Sequence, residues 1–530
     1  MPPAQGSSDL EPGRRLVDHL IAHPGELPFP SRGVQLVETH ISWVLLCGDD
    51  VIKIKKPVHM GYIDFSTLAR RDRCAREEIR LNRRLVPELY VGTLAITGTP
   101  DAPRFDGHGP LLETAVHMRQ FDPAGQLDRE IEAGRLSLED IGAVARAIAE
   151  FQAQVPAAEA ADAWGRFEAV MAPIRENFRR VREVAGDLES LGPRLDALEA
   201  AGEAWAEALR LRLEERRAGG YVREGHGDLH LGNIARMPWG IRAFDALEFA
   251  PELRWLDVVS DLAFLHMDLI ARGETALAWR LVNDWVAVTG DHGGLRLLRF
   301  YVMYRSMVRV KVAALRRTQQ APGPERDALE ADMDRFLGLA EAALAPPRAG
   351  LVLMHGLSGS GKSRVATRLA DALGAIQLRS DVERKRLLDS RDPQALYGDQ
   401  ANAFVYQHLA DTSRQLLAAG LRVIVDATFL GRAQRERFVG MARQLGVPVA
   451  IVACDADAEV LAARVTQRLA LGRDASDADA EVIATQRAVR EPVAVDEADR
   501  VVALDTGEDA GDELGHAGAA LRMLRDLFEK

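Results

Sequence analysis

The chain has 530 residues, too many for one hydrophobic core, because such cores usually stop growing near about 250 to 300 residues. A net charge of −12 argues against general attraction to nucleic acid, which needs a surplus of Lys and Arg along one face. No apolar run approaches the roughly 18 residues of a membrane span, and the amino terminus lacks the features of a secretion signal, so we expect a soluble, cytoplasmic protein.

The first part of the chain is rich in strands. Alternating apolar patterns predict strands, then one helix, then two further strands, at 35–39, 42–47, 51–55, 66–85, 91–97 and 112–120. From about 127 to 344 the pattern is mostly helical, interrupted by a loop-and-strand region at 221–249. The expected outline is a small sheet lobe followed by a large helical lobe.

A lysine pair lies on the third predicted strand, VIKIKKP at 51–57. Lys53 and Lys55 share one face of this strand, because side chains alternate. A kinase sheet lobe needs a lysine for the α- and β-phosphates, paired with a glutamate on a helix. Lys53 is the first choice and Glu78 its expected partner, although Lys55 and the neighbouring Glu77 stay open as alternatives.

The segment HGDLHLGNI at 226–234 fits the catalytic-loop pattern H-x-D-L-x-x-x-N. This spacing lets one short loop offer the Asp228 carboxylate to an acceptor hydroxyl while the Asn233 amide oxygen holds Mg²⁺. Asp245 follows twelve residues after Asn233 and is a candidate second metal ligand. The sequence therefore predicts a phosphoryl-transfer site in the first half of the chain.

With these motifs, residues 30 to 340 resemble the aminoglycoside phosphotransferase-like branch of the protein-kinase fold, with homoserine and fructosamine kinases as relatives. The resemblance implies that Asp228 is the base and that Asn233 and Asp245 are metal ligands. One departure is the lack of a G-x-G-x-x-G segment before the lysine strand, so the phosphate cover is expected from about 38–43. Asp257 and Asp261 are predicted to be structural caps or salt-bridge partners.

A linker is predicted at 342–350 (AALAPPRAG), which gives domains 1–345 and 346–530. After it, apolar strands alternate with helical stretches, at 351–354, 376–379, 421–425, 448–452 and 501–504. That alternation predicts a doubly wound parallel sheet. The expected fold class is α/β and α+β, with a two-lobed kinase-like domain before a P-loop domain.

A complete GxxxxGK[ST] loop, GLSGSGKS, follows the first of these strands and precedes a helix. Its backbone N–H groups can surround phosphate oxygens, its lysine adds charge at the outer phosphates, and its last serine can ligate Mg²⁺. The nucleotide-binding residues predicted here are Gly356, Leu357, Ser358, Gly359, Ser360, Gly361, Lys362 and Ser363. Lys362 is also a catalytic candidate.

Two carboxylates end strands of this predicted sheet. Asp381 follows the second strand and Asp426 ends the run LRVIVDAT. Ligands of open α/β sheets gather outside the carboxyl ends of the strands, so both can reach the metal or the acceptor. Asp426 is the candidate metal ligand, and the alternative for each is a helix cap or turn residue.

Residues 350 to 530 resemble the P-loop small-molecule and polynucleotide 5′-hydroxyl kinases, a group that includes gluconate kinase-like and chloramphenicol phosphotransferase-like proteins. The resemblance implies that Asp381 is the base for the acceptor hydroxyl and that Arg384 accompanies it. It also implies an arginine-bearing lid, for which the candidates are Arg464, Arg468 and Arg473. The whole order resembles a bacterial group of fused phosphotransferase-like and AAA-type ATP-binding kinase proteins.

The first functional hypothesis is a double kinase that uses ATP and Mg²⁺ to phosphorylate small hydroxyl-bearing molecules. A second hypothesis makes the first domain a ligand-binding regulator of the P-loop kinase. A third has the P-loop domain act on nucleic-acid 5′ ends, but the residues from Arg348 onward include 24 basic and 27 acidic side chains, a net charge of −3. The sequence predicts neither the acceptors nor the oligomeric state.

Overall fold

The computed structural model describes residues 7–31, 33–60, 63–105, 107–188, 190–345, 348–388, 398–471, 480–507 and 517–529. These residues form two compact units, one of 1–195 with 203–268 and one of 196–202 with 269–530. The second unit thus includes residues before the predicted linker, and the domain boundary between 345 and 346 stays a prediction. No helix within the described ranges is both long and apolar enough to span a membrane.

The first unit contains a six-stranded antiparallel sheet in the order β1-β2-β3-β8-β6-β7. Its helices and strands, with a small β4–β5 hairpin, are α1 (Ser7–Ala22), β1 (Gln35–Glu38), β2 (Ser42–Leu46), β3 (Asp50–Lys55), β4 (His59–Met60), β5 (Ile63–Asp64), α2 (Leu68–Asn82), β6 (Tyr90–Thr99), β7 (Ala102–Phe105) and β8 (Leu111–Arg119). The predicted strands and the predicted helix are all present, and α1, β4, β5 and β7 are additions to them.

Side chains of β3 alternate between the two faces of the sheet. Ile52 and Ile54 enter the core cluster that α1 closes from one side of the sheet, with Leu16 and Leu20 among its members. Lys53 and Lys55 therefore point to the opposite side, because successive strand residues face opposite ways.

Between 127 and 271 the chain is mainly helical, as the sequence predicts. The helices and strands are α3 (Leu127–Glu132), α4 (Leu138–Gln154), α5 (Phe167–Ala185), α6 (Leu191–Ala218), β9 (Val222–Glu224), β10 (Ile234–Met237), β11 (Gly240–Ala243), α7 (Pro251–Arg254), β12 (Trp255–Asp257) and α8 (Val258–Ala271). Strands β10 and β11 form a hairpin directly after the predicted catalytic loop, and β9 pairs with β12.

The second unit is built around a parallel five-stranded sheet in the order β14-β15-β13-β16-β17. Its elements are α9 (Thr275–Thr289), α10 (Leu298–Arg317), α11 (Pro324–Leu344), β13 (Gly350–His355), α12 (Lys362–Leu373), β14 (Ala375–Arg379), α13 (Ser380–Leu388), α14 (Asp399–Ala418), β15 (Arg422–Asp426), α15 (Arg432–Gln444), β16 (Val449–Asp455), α16 (Ala458–Leu471), α17 (Ala480–Val489), β17 (Arg500–Asp505) and α18 (Ala517–Phe528). All five predicted strands are present. β13 is central and buried throughout, and the loop at 356–363 follows directly at its carboxyl end.

Candidate active sites

Lys53 lies at the centre of an ion network in the first unit. Its Nζ donates to Glu78 Oε1 at 2.9 Å and to Asp245 Oδ1 at 2.7 Å. Burial acts to lower the pKa of Lys53, but Asp245 and Glu78 outweigh it and hold that pKa well above its usual range. Lys53 therefore carries its positive charge beside the carboxylate that the sequence analysis assigned to the metal.

Lys55 lies deeper and has a different set of partners. Its Nζ donates to Glu78 Oε2 at 2.7 Å and contacts Glu248, and its side chain is 1% exposed. Burial raises the pKa of Glu248 in spite of Lys55, whereas the two lysines overcome burial to lower the pKa of Glu78 to about 2. Glu78 thus binds both lysines, whereas Asp245 accepts a hydrogen bond from Lys53.

Asp245 is held in a constrained turn. Its φ of 61° lies in the left-handed region, which is uncommon for a residue other than glycine and costs about 1–3 kcal/mol unless the surroundings fix it. Two side chains do so: the Asp245 N–H donates to the Tyr90 hydroxyl at 3.1 Å, and the Ala246 N–H donates to Asn82 Oδ1 at 2.8 Å. The carboxylate is therefore presented by a backbone that β6 and α2 hold in place.

The predicted catalytic loop brings Asp228 and Asn233 together. Asn233 Nδ2 donates to the Asp228 carbonyl at 3.0 Å and to Asp228 Oδ2 at 3.2 Å. The Asn233 carbonyl accepts the Phe244 N–H at 2.9 Å, which joins the loop to the strand that leads to Asp245. The structure thus connects all three predicted oxygen ligands through adjacent segments.

Two aspartates of α8 accept hydrogen bonds from backbone N–H groups of this loop. Asp261 accepts the N–H groups of His226 at 2.7 Å and Gly227 at 3.0 Å, and Asp268 accepts the Leu231 N–H at 3.0 Å. Asp257 forms a buried ion pair with Arg216. Asp257 and Asp261 therefore make the structural contacts that the sequence analysis expected of them.

The P-loop of the second unit has the conformation that its motif predicts. Gly356 has φ of 148°, and a Cβ there would lie 2.4 Å from the Cys454 carbonyl oxygen. Gly361 has φ of 72° and stands immediately before α12. Lys362 begins that helix, and its Nζ donates to the Leu357 carbonyl at 3.4 Å.

Asp426 and Ser363 meet at the carboxyl edge of the sheet. Ser363 Oγ donates to Asp426 Oδ1 at 3.1 Å, and Gln377 Nε2 donates to Asp426 Oδ2 at 3.0 Å. Burial raises the pKa of Asp426, while Lys362 and Arg379 act in the opposite direction. Both predicted metal ligands of this unit thus lie in one place, next to the P-loop lysine.

Asp381 occupies the first turn of α13, close enough to Asp426 that their charges influence one another. Arg384 lies one turn further along and is buried. Both act on Tyr406 of α14, whose pKa is raised by burial and by Asp381 and lowered by Arg384. The predicted base and its accompanying arginine therefore share helix α13, which contacts α14 through Glu383 and His408.

The lid candidates have different outcomes. Arg464 of α16 donates to the Thr506 carbonyl at 2.6 Å, and its guanidinium lies 3.7 Å from where a Cβ on Gly361 would stand. Gln486 of α17 accepts the Ser358 N–H at 2.9 Å, so this segment also reaches the P-loop. Arg473 and the side chain of Arg468 lie outside the described residues.

The residues of both sites fit Mg²⁺ that arrives with a nucleotide. Within the described ranges, no group of three or more His, Cys, Asp or Glu side chains forms a metal-binding cluster. Mg²⁺ usually binds through one or two carboxylates together with substrate phosphates. Asp426 with Ser363 offers such a set in the second unit, and Asp245 with Asn233 offers one in the first.

Comparison with known proteins finds relatives that match both halves of the chain. The chain is 30% identical over 464 residues to the uncharacterized protein Rv2004c of Mycobacterium tuberculosis (strain ATCC 25618 / H37Rv) and to the uncharacterized protein Mb2027c of Mycobacterium bovis. The matched region covers 86% of this chain and 90% of each relative. The chain belongs to the family of these mycobacterial proteins. Within it, residues 351–493 match the family model of an AAA domain, AAA_33.

Solved structures similar to parts of this family member include several kinases. A gluconokinase from Sinorhizobium meliloti 1021 is 23% identical, covers 34% of this chain and 95% of its own, and has a TM-score of 0.26. A choline/ethanolamine kinase family protein from Mesorhizobium loti is 13% identical, with 62% and 99% covered and a TM-score of 0.32. The ethanolamine kinase of Plasmodium vivax is 9% identical, with 62% and 88% covered and a TM-score of 0.38. None of these similarities is close enough to carry a substrate over to this chain.

The expected P-loop fold of the second half is confirmed by the family-model match and the parallel sheet, and the first half has the expected small sheet followed by a mainly helical region. Sequence reasoning missed several residues that shape the two sites, namely Asn82, Tyr90, Glu248, Gln377, Tyr406 and Gln486. The one readable signal among them was Gln377, a polar residue in the otherwise apolar stretch around β14.

Proposed function

We propose that each unit is a Mg-ATP-dependent phosphotransferase that moves the γ-phosphate of ATP to a hydroxyl group of a small molecule. What supports this is the same juxtaposition on two unrelated folds: a lysine beside a carboxylate that can hold Mg²⁺. In the first unit Lys53 Nζ lies 2.7 Å from Asp245 Oδ1. In the second unit the charge of Lys362 acts to lower the pKa of Asp426. Because ATP is the donor, we infer a cytoplasmic location.

In the first unit, Asp228 accepts the proton of the acceptor hydroxyl. The oxygen of that hydroxyl forms a new bond to the γ-phosphorus while the bond from phosphorus to the bridging oxygen breaks, and ADP leaves. Lys53 neutralises charge on the α- and β-phosphates, and Glu78 keeps it aligned. Asn233 and Asp245 would hold Mg²⁺, which would supply further charge neutralisation at the phosphates.

In the second unit, Asp381 takes the role of the base. Backbone N–H groups of 356–363 and the Lys362 ammonium bind the phosphates, and Ser363 with Asp426 would hold Mg²⁺ for charge neutralisation there. Arg384 and Arg464 contribute positive charge near the transferring group, and preorganised charge of this kind usually provides most of the rate enhancement. Both reactions are the same group transfer, carried out with different side chains.

A second candidate role for the first unit is regulation of the second. The observation that favours it is the direct Lys53–Asp245 ion pair, which occupies both a phosphate-binding group and a metal ligand. As a kinase, the unit must exchange this pair for contacts to Mg-ATP. As a regulator, it keeps the pair when ATP is present.

The test is ATP consumption by the full chain with a library of sugars, amino alcohols, nucleosides and aminoglycosides. Asp228→Ala and Lys362→Ala are each expected to abolish a different activity, whereas the exposed substitutions Glu88→Ala and Arg443→Ala leave both unchanged. If Asp228→Ala has no effect on any acceptor while Lys362→Ala abolishes all of them, the first unit is a regulator.

A further inference from the structure

Helix α9 satisfies the free edge of the parallel sheet at β14. Asn283 Nδ2 donates to the Ala375 carbonyl at 2.9 Å, and the Gln377 N–H donates to Asn283 Oδ1 at 2.8 Å. One side-chain amide thus pairs with a C=O and an N–H of the edge strand, as a neighbouring strand does in a ladder. Asn283 is only 9% exposed, so water has little access to replace these bonds.

Neighbouring residues of α9 fix the helix against the same corner of the unit. Arg280 forms an ion pair with Asp371 of α12, at 2.5 Å between Nη2 and Oδ2. Trp279 packs on Gly374, where φ is 66° and a Cβ would lie 2.7 Å from the indole nitrogen. A larger residue at 374 is therefore strained by its positive φ and has to displace the Trp279 ring.

The strand that Asn283 holds leads directly to the candidate Mg²⁺ site. Gln377, whose backbone N–H binds Asn283, donates its Nε2–H to Asp426 Oδ2 at 3.0 Å and accepts from Thr367 Oγ1 at 2.9 Å. The other Asp426 oxygen accepts from Ser363. An unbroken series of hydrogen bonds thus runs from Asn283 through Gln377 and Asp426 to the P-loop serine.

Helix α9 also binds α13, the helix that carries the candidate base Asp381. Arg386 of α13 donates to the Ala287 carbonyl at 2.6 Å and to the Val286 carbonyl at 3.4 Å, both in the last turn of α9. The Val286 carbonyl also accepts the Gly290 N–H at 2.8 Å, so the guanidinium adds to the backbone cap of α9. Asp381 lies on α13 as well.

We propose that Asn283 is a positioning residue for the Mg²⁺ site of the second unit, which acts by fixing the register of β14 and thereby the orientation of Gln377 and Asp426. The inference rests on the proposed function of the P-loop site. It means that a segment before the linker helps to build the nucleotide site after it. Residues that orient metal ligands typically change metal affinity about 10- to 100-fold when they are substituted.

The test measures ADP affinity by titration calorimetry, once with Mg²⁺ and once with EDTA, in the full chain carrying Lys53→Met so that only the second unit binds nucleotide. Asn283→Ala and Gln377→Leu are each expected to reduce the gain in affinity that Mg²⁺ provides by about tenfold. Affinity in EDTA should stay near that of the parent. Val288→Ala, an exposed substitution on the same helix, is the control and should leave both affinities unchanged.

Asn283→Asp keeps the acceptor for the Gln377 N–H while losing the donor to Ala375, so it gives a smaller shift and covers the case in which Asn283→Ala does not fold. A parent-like Mg²⁺ effect in both folded Asn283 variants, with a shift in Gln377→Leu, overturns the role of Asn283 alone. ADP binding that survives Lys362→Ala in the same background instead overturns the proposed function of the second unit.

Discussion

The two lysines of β3 share Glu78 but should respond differently to substitution. Lys55→Met leaves buried Glu248 without a positive partner, and Glu78 keeps only its contact with Lys53. Breaking a buried ion pair costs about 3–5 kcal/mol. Lys53→Met leaves Glu78 paired with Lys55. We expect Lys55→Met to lower the unfolding temperature markedly, and Lys53→Met to lower it less while abolishing nucleotide binding in the first unit.

Thermal unfolding and nucleotide titration of the two variants check this difference. Arg73→Met serves as a control on α2, because Arg73 is exposed. Equal losses of stability in Lys53→Met and Lys55→Met contradict the assignment of separate roles.

His355, next to the P-loop, should make stability depend on pH. Its Nδ1–H donates to the Phe429 carbonyl at 3.1 Å and its Nε2 accepts from Arg490 at 3.2 Å, an arrangement that requires the neutral ring. Burial lowers the pKa of His355 from its usual 6.5 to about 4. Between those values the unfolded chain binds a proton that the folded chain does not, so stability falls as pH decreases from about 6.5 to 4.

This effect amounts to at most about 3 kcal/mol, since one pKa unit corresponds to about 1.4 kcal/mol. Urea unfolding at pH 7 and at pH 4.5 measures it. His355→Gln should reduce the difference between the two midpoints, whereas His108→Gln, at an exposed position, should not. A pH dependence that is the same in wild type and His355→Gln rules out this explanation.

At the residue scale, local motifs predicted Lys53, Glu78 and the 226–234 loop because their spacing along the chain is itself the signal. Glu248 and Gln377 could not be predicted in this way. Glu248 is paired with a lysine 193 residues away, and Gln377 depends on Asn283, 94 residues away. Such contacts follow from tertiary packing, which one sequence does not display.

At the scale of elements, α8 acts as the support of the catalytic loop. Asp261→Ala removes the acceptor of two buried N–H groups, at a cost of about 1–3 kcal/mol for each group left unsatisfied. The loop then shifts, and a displacement near 1 Å can reduce turnover about 100-fold. We expect lower turnover in the first unit with nucleotide affinity little changed.

Steady-state kinetics of the activity that Asp228→Ala abolishes, together with nucleotide titration, test this expectation. Glu252→Ala is the control, because Glu252 is an exposed residue of α7 and, within the described ranges, does not bind the loop. A large loss of nucleotide affinity in Asp261→Ala, with turnover unchanged, contradicts the positioning role.

Elements were the most predictable level of this structure. All five strands of the parallel sheet lie within one to three residues of their predicted limits, because buried strands read as continuous apolar runs. Strand β7 was missed because its sequence, APRF, includes a proline and alternates weakly. The limits of α2 were predicted two or three residues too wide at each end, since helix ends depend on caps such as Thr67.

For the whole molecule, the change of sequence pattern at 342–350 and the division by packing fall at different places. The P-loop sheet packs with α9, whose contacts through Trp279, Arg280 and Asn283 all cross the linker in sequence. The match to the mycobacterial relatives also extends across both parts. The chain therefore shares both of its parts with these relatives in one alignment.

If both proposed sites bind Mg-ATP, one chain holds two separate nucleotides. Calorimetric titration of the full chain with a non-hydrolysable ATP analogue and Mg²⁺ counts them directly. The account predicts two bound nucleotides per wild-type chain, one in Lys53→Met, one in Lys362→Ala and none in the double variant. A single site in wild type that Lys53→Met leaves intact, or binding that persists in the double variant, contradicts it.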